Sequence, residues 1–187
     1  MHPSVRIALA GLAALTVGPA APAVWIVDKA ASRLGFKSTF AGMAVSGAFQ
    51  RWDAQIAFDP KALAASKVMV SVDVASATTG DQGQDEALPT SDWFDAAHFP
   101  RATFTAANFK DLGGGRYQAL GTLTLKGATR PVTLPFTLAI AGPSARVGGQ
   151  TTLNRTAFGI GKGQFASAET VPFDVAVSVT LSAKRGK

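Results

Sequence analysis

Apolar and polar residues alternate one by one along most of the chain. Val68, Val70, Val72 and Val74 share one parity, with Ser71 and Asp73 between them. Tyr117, Ala119, Gly121, Leu123 and Leu125 repeat the pattern against Thr122 and Thr124. Val132, Leu134, Phe136, Leu138 and Ile140 form a third stripe; Phe173, Val175, Val177, Val179 and Leu181 form a fourth, opposite Asp174, Ser178 and Thr180. Successive side chains on a strand point to opposite faces, so period-two alternation predicts strands with one face against an apolar interior. Turn residues separate the runs: Asp59-Pro60, Gly113-Gly114-Gly115, Lys126-Gly127 before Arg130-Pro131, Gly142-Pro143 and Gly148-Gly149. The pattern predicts strands near 24–28, 32–41, 45–58, 67–75, 101–109, 116–126, 131–141, 146–156 and 171–183.

Two stretches break the alternation. Asp59 caps a short turn with Pro60 at its first helical position, running through Leu63 to Ser66. Thr78 to Phe99 is longer and holds Asp81, Asp85, Glu86, Asp92 and Asp95. Ser91 there predicts the cap of a short helix carrying Trp93 and Phe94, ended by Pro100. An insertion of this length between strands reads as a lid.

Many strands with one apolar face form either a sandwich or a closed barrel. The long stripes favour an all-β, elongated antiparallel barrel of eight or nine strands with short helical insertions. At about eight strands the interior is either packed or holds one ligand, and alternation does not separate these. An outer-membrane barrel alternates too. The helical insertion, the charged C-terminus and the lack of aromatic girdles speak against it.

Composition narrows the chemistry. With 47% hydrophobic and only 16% charged residues, the chain is not disordered, and 187 residues suit one domain. Residues 1–23 read as a secretory signal: Arg6 precedes the apolar run Ile7 to Val17, and Ala21-Pro22-Ala23 is the cleavage site. A barrel domain over 24–187, exported to a periplasm, is expected. The net charge of +6 comes from scattered Lys and Arg, so no nucleic-acid partner is expected. The tail Lys184-Arg185-Gly186-Lys187 is the place for weak attraction to anionic lipid. There is no Cys, and cleavage would leave His98 as the sole histidine. That removes thiolate and zinc sites. His98 has no nucleophile-elbow motif to serve. The bunched acids of 81–95 suit a solvated face better than a glycosidase pair. Gly159-Ile160-Gly161-Lys162-Gly163 does not join a strand to a helix as a phosphate loop would. No catalytic residue, metal or cofactor is expected, and the chain reads as non-enzymatic.

A series of motifs runs through the mature region in order. Val45-Ser46-Gly47-Ala48-Phe49 precedes Ile56-Ala57-Phe58-Asp59, and the Val68–Val74 strand leads to Thr78-Thr79. Ser91-Asp92-Trp93-Phe94-Asp95 runs to Phe99-Pro100-Arg101-Ala102-Thr103-Phe104. Gly121-Thr122-Leu123-Thr124-Leu125-Lys126-Gly127, Thr129-Arg130-Pro131-Val132 and Asn154-Arg155-Thr156-Ala157-Phe158-Gly159-Ile160 follow. In order and spacing these resemble the YceI-like family of exported polyisoprenoid-binding proteins. The resemblance implies a lipocalin-like barrel with a long isoprenoid or quinone-like chain along its lumen, for carriage or storage. Many members carry His where this chain has Ala31 and Phe40. That departure is similar to members found beside membrane cytochromes of the b type, and implies a quinone-related ligand with a membrane cytochrome or membrane surface as partner. The lumen is assigned to Phe36, Phe40, Phe49, Phe58, Phe104, Leu123, Phe136, Phe158 and Val177, with Trp93 and Phe94 as a cap. Arg101, Arg130 and Arg155 are the candidate headgroup contacts. A monomer or homodimer is expected. The alternative is a ligand-free structural or interaction barrel acting at a membrane surface.

Overall fold

The computed structural model describes residues 21–186, so residues 1–20 of the expected signal lie outside the described residues. Eleven strand segments follow one another: β1 Val24–Val27, β2 Arg33–Phe40, β3 Met43–Phe49, β4 Trp52–Ala57, β5 Lys67–Asp73, β6 Ala77–Thr78, β7 Arg101–Gly113, β8 Arg116–Leu125, β9 Ala128–Ala141, β10 Ser144–Asn154 and β11 Asp174–Arg185. Three pairs of them, β1 with β2, β3 with β4, and β5 with β6, are single strands bent in the middle. Neighbours in sequence pair antiparallel, and β11 closes the circle on β1 (Trp25 opposite Arg185) and on β2 (Phe36 opposite Val177). The result is a closed, eight-stranded, up-and-down antiparallel barrel.

The bends have local causes. Between β1 and β2 the Asp28 carboxylate accepts from the N–H groups of Ala30 and Ala31, at 3.1 and 3.2 Å, and turns the chain. Between β5 and β6 Asp73 caps a 3-10 turn over Val74–Ser76 by accepting from Ala75 N. Ser76 Oγ accepts from Arg51 N at 2.9 Å, tying that turn to the break between β3 and β4. On β7 a bulge shifts the register between Ala106 and Asn108, which carries the inward parity from Ala106 to Phe109.

A turn follows Asp59 as expected, but it starts later and is not capped by it: the 3-10 turn covers Leu63–Ala65 after Ala62, with no side-chain cap, while the Asp59 carboxylate accepts from Lys61 N at 2.9 Å. The expected Ser91-capped helix is not. Residues 90–99 form consecutive turns, and the α-helix (α1) lies earlier, at Gln82–Ala87, where Asp81 accepts from Gln84 N at 2.9 Å. Asp81 outcompetes Ser91 because the carboxylate of Asp85, one turn on, is also held: it accepts from Thr78 Oγ1, from Thr79 N at 2.6 Å and from Thr79 Oγ1 at 2.9 Å.

The interior has two buried clusters. One end is plugged by Trp25, Phe58, Phe109 and Tyr117, against which Phe136 and Leu138 pack. The Phe58 ring meets Phe109, Tyr117 and Phe136 edge-on with centroids 5.1, 5.7 and 5.9 Å away, a geometry favoured by the ring quadrupoles. Trp25 Nε1 donates to Phe58 O at 2.9 Å and so satisfies the one polar atom that this plug buries on its indole. The other end is closed by Val74, Phe94, Phe158 and Ile160, contributed by the turn between β5 and β6, by the insertion after β6 and by the segment between β10 and β11.

Candidate functional site

Between the two clusters the barrel is hollow. The cavity measures about 240 Å³, well above the ~150 Å³ at which an apolar cavity stays dry and takes up benzene. Its wall runs from Leu34, Phe36 and Phe49 through Trp52, Val70, Phe104, Leu123 and Leu134 to Val175, Val177 and Val179, with Phe94, Phe158, Ile160 and Val171 at the closed end.

Large rings line this hollow without filling it, and glycine is the reason. Gly47 pairs with Phe36, and a Cβ on Gly47 would overlap the Phe36 ring. A Cβ on Gly121 would stand 2.8 Å from the Phe104 ring. Each ring therefore lies flat over a bare backbone on the adjacent strand and leaves the axis of the barrel open.

The structure brings Phe36, Phe49, Phe104, Leu123, Phe158 and Val177 of the sequence-assigned lumen together around the hollow, with Phe94 of the expected cap at its closed end. Three lumen assignments are corrected. Phe58 and Phe136 face inward but belong to the packed plug. Phe40 lies past the rim with its ring 6.3 Å from Phe165 and does not border the cavity; Trp93, expected in the cap, packs on the same Phe165 at 5.0 Å and against the cluster that closes this end. Trp52, Leu34, Val70 and Ile160 were missed. Trp52 follows the Gln50-Arg51 break, where the inward parity passes from odd positions (Phe49) to even ones (Trp52, Ala54). A two-residue interruption between alternating runs is the signal that would have exposed it.

The three candidate headgroup arginines part company. Arg101 lies exposed, with Nη1 donating to Ser71 Oγ at 3.2 Å. Arg130 is exposed near the β8–β9 hairpin, and alternation puts it on the Val132 side of β9. Arg155 is neither a surface residue nor a free donor. It is buried, and its N–H groups donate to six backbone carbonyls: Pro172, Ile160, Gly161, Phe165, Ser167 and Val171, at 2.7–3.1 Å. Burial lowers its pKa. Its job is to wrap the segment after β10 into a cap, and Gly161 (φ +75°) is bare because a Cβ there would strike the guanidinium. The glycine-rich run beginning at Gly159 next to Arg155 was the available sign of that cage.

A second cation stitches the cap together. Lys126 Nζ, at the β8–β9 hairpin, donates to Ser91 O at 2.6 Å and to Gly159 O at 2.9 Å. Gly161 N donates to Asp92 O at 2.7 Å. Desolvation, with Lys162 nearby, lowers the Lys126 pKa. His98 stands exposed on the same insertion, its Nδ1 2.8 Å from Asp95 Oδ1. Among the described residues no group of three His, Asp or Glu is placed to hold a metal, and no helix is long and apolar enough to cross a membrane.

A closed eight-stranded meander around an apolar hollow, capped at one end by irregular segments, defines a lipocalin-like barrel. The YceI-like domain model matches residues 25–183. A UPF0312 protein of Pseudomonas savastanoi pv. phaseolicola is 31% identical over 174 residues, covering 88% of this chain and 90% of that one. A Vibrio cholerae UPF0312 protein is 32% identical over 161 residues, covering 80% and 85%. The crystal structure of Burkholderia cenocepacia BcnA superposes with a TM-score of 0.82 at 33% identity, covering 85% of this chain and all of that one. A polyisoprenoid binding domain from Saccharophagus degradans, implicated in plant cell wall breakdown, superposes with a TM-score of 0.69 over 88% of this chain; at 16% identity that likeness is one of fold. The chain belongs to the YceI-like family.

Proposed function

We propose that the protein binds the apolar chain of an isoprenoid or quinone-like lipid in the hollow, for carriage or storage, and performs no catalysis. The observation that carries this is the cavity itself: about 240 Å³ of space, walled by aliphatic and aromatic side chains, between two packed ends. Transfer of a chain from water into it yields about 0.8 kcal/mol per CH₂, or about 3–4 kcal/mol per five-carbon prenyl unit. By proportion to the benzene-sized cavity, 240 Å³ holds about ten carbons, or two prenyl units. A longer chain must displace cap side chains or leave between strands, so affinity rises with length only until those costs set in. The polyisoprenoid-binding relative in fold supports the ligand class. Export to a periplasm, a membrane cytochrome or membrane surface as the delivery partner, and a monomeric or homodimeric state complete the proposal. The solid plug favours the alternative of a structural barrel; the hollow beside it weighs for the carrier.

The test is native mass spectrometry of freshly purified protein, followed by organic extraction. An adduct that extraction releases as a prenyl lipid is expected. Protein with no adduct and no uptake of added quinone or polyprenol removes the proposal.

A further inference from the structure

The wall of the hollow carries few side-chain polar atoms, and only one of them is closed off from solvent without a partner. Thr151 Oγ1 donates to Thr133 O at 3.0 Å. The N–H groups of Arg155 are engaged by six carbonyls. Ser178 turns its hydroxyl outward, its Oγ 3.3 Å from where a Gly35 Cβ would stand. Ser38 remains. It alternates with Leu34 and Phe36 on the inward face of β2, and its Oγ is closed off from solvent with no hydrogen-bond partner, the one such side-chain atom among the described residues. A buried hydroxyl without a partner loses the hydrogen bonds water would give it, and structures rarely leave one so.

Resting on the lipid-binding reading above, we infer that Ser38 anchors the polar end of the bound lipid, and that this end is an uncharged oxygen, a hydroxyl or a carbonyl. A serine hydroxyl donates one hydrogen bond and accepts two, so it suits either. A phosphate or carboxylate does not fit. A charge in an apolar hollow needs several free donors, and the nearest guanidinium has none left. The register sets the orientation of the ligand. Ser38 lies one step beyond the Lys37–Ala176 pair, at the level of Leu153 and Val175, next to the Arg155 cap. The head therefore sits under the cap and the tail points toward the Phe58 plug.

The experiment compares geraniol, a hydrocarbon of the same ten-carbon skeleton, and geranyl phosphate, titrated against wild type, Ser38→Ala and Ser38→Thr by tryptophan fluorescence. The expected result is an affinity for geraniol that falls about tenfold in Ser38→Ala and recovers in Ser38→Thr, with hydrocarbon affinity unchanged or tighter. Using one ligand across variants cancels its own hydration. Equal geraniol affinity in wild type and Ser38→Ala, with the hydrocarbon still bound, overturns the anchor and leaves lipid binding standing. Tightest binding by geranyl phosphate overturns the uncharged head. Failure of all three ligands on wild type overturns the binding reading and this inference with it.

Discussion

Arg155 holds more of the cap than any other single side chain. Replacing it with Met leaves six inward carbonyls without a donor, and each unsatisfied buried group costs about 1–3 kcal/mol. Arg155→Met is expected to destabilise the fold by at least about 3 kcal/mol, read in thermal unfolding as a fall in Tm of roughly 6–12 °C. Arg155→Lys recovers only part of this, since an ammonium offers three donors from one point rather than a planar fork. At Gly47 the effect runs through volume. Gly47→Ala pushes the Phe36 ring toward the barrel axis, with an expected stability loss of about 1–3 kcal/mol and a smaller hollow, checked by unfolding together with ligand titration. Asp85 adds pH dependence. The hydroxyl of Thr78 and then the N–H of Thr79 hold its carboxylate below the ordinary value. A depressed folded pKa stabilises above the unfolded value and loses that contribution as pH falls through the folded one. Wild type should therefore be more stable than Asp85→Asn at neutral pH. The difference should shrink below pH ~4 and vanish on further acidification; a gap constant down to pH 2 contradicts this.

Among the elements, the β9–β10 seam is the weak line of the wall. The paired register stops at Phe136 opposite Gly149, although β9 begins at Ala128 and β10 runs on to Asn154. Thr133 O takes its bond from Thr151 Oγ1, so the odd residues of β9 face β10. Pro131 and Pro135 share that parity and have no N–H to give. Amide exchange should be faster at Thr133 and Thr152 than at Thr137 and Gly148, by an order of magnitude or more; equal protection along both strands contradicts the reading. The strands themselves were legible because each stripe follows from its own residues. The helix expected near Trp93 was misplaced because Ser91 was read as the cap where Asp81 caps an earlier helix. Asp81 prevails through contacts that Asp85 makes to Thr78 and Thr79.

In the whole molecule the three tryptophans report on three zones: Trp25 in the plug, Trp52 on the hollow, Trp93 in the cap. A ten-carbon ligand should change Trp52 emission alone, and Trp52→Phe should remove the response. A ligand of four prenyl units exceeds the volume and should perturb Trp93 as well. If both lengths leave Trp93 silent, the cap does not yield and the chain emerges elsewhere. Phe136 shows how scale alters a prediction. By stripe it lines the lumen; in three dimensions it is stacked 5.5 Å from Tyr117 in the plug, so a charge there attacks the fold before it touches a ligand.

From the sequence alone came the barrel, a strand count of eight or nine, the family and most of the rings around the cavity, because alternation, turn residues and motif order are local properties of the chain. The division of the inward face into a solid plug and an open hollow is not local. It depends on which ring meets which glycine on the neighbouring strand, and register decides that. Arg155 read as a surface cation for the same reason: its six carbonyl partners come from residues 160–172 and gather only when the segment folds back over the barrel mouth.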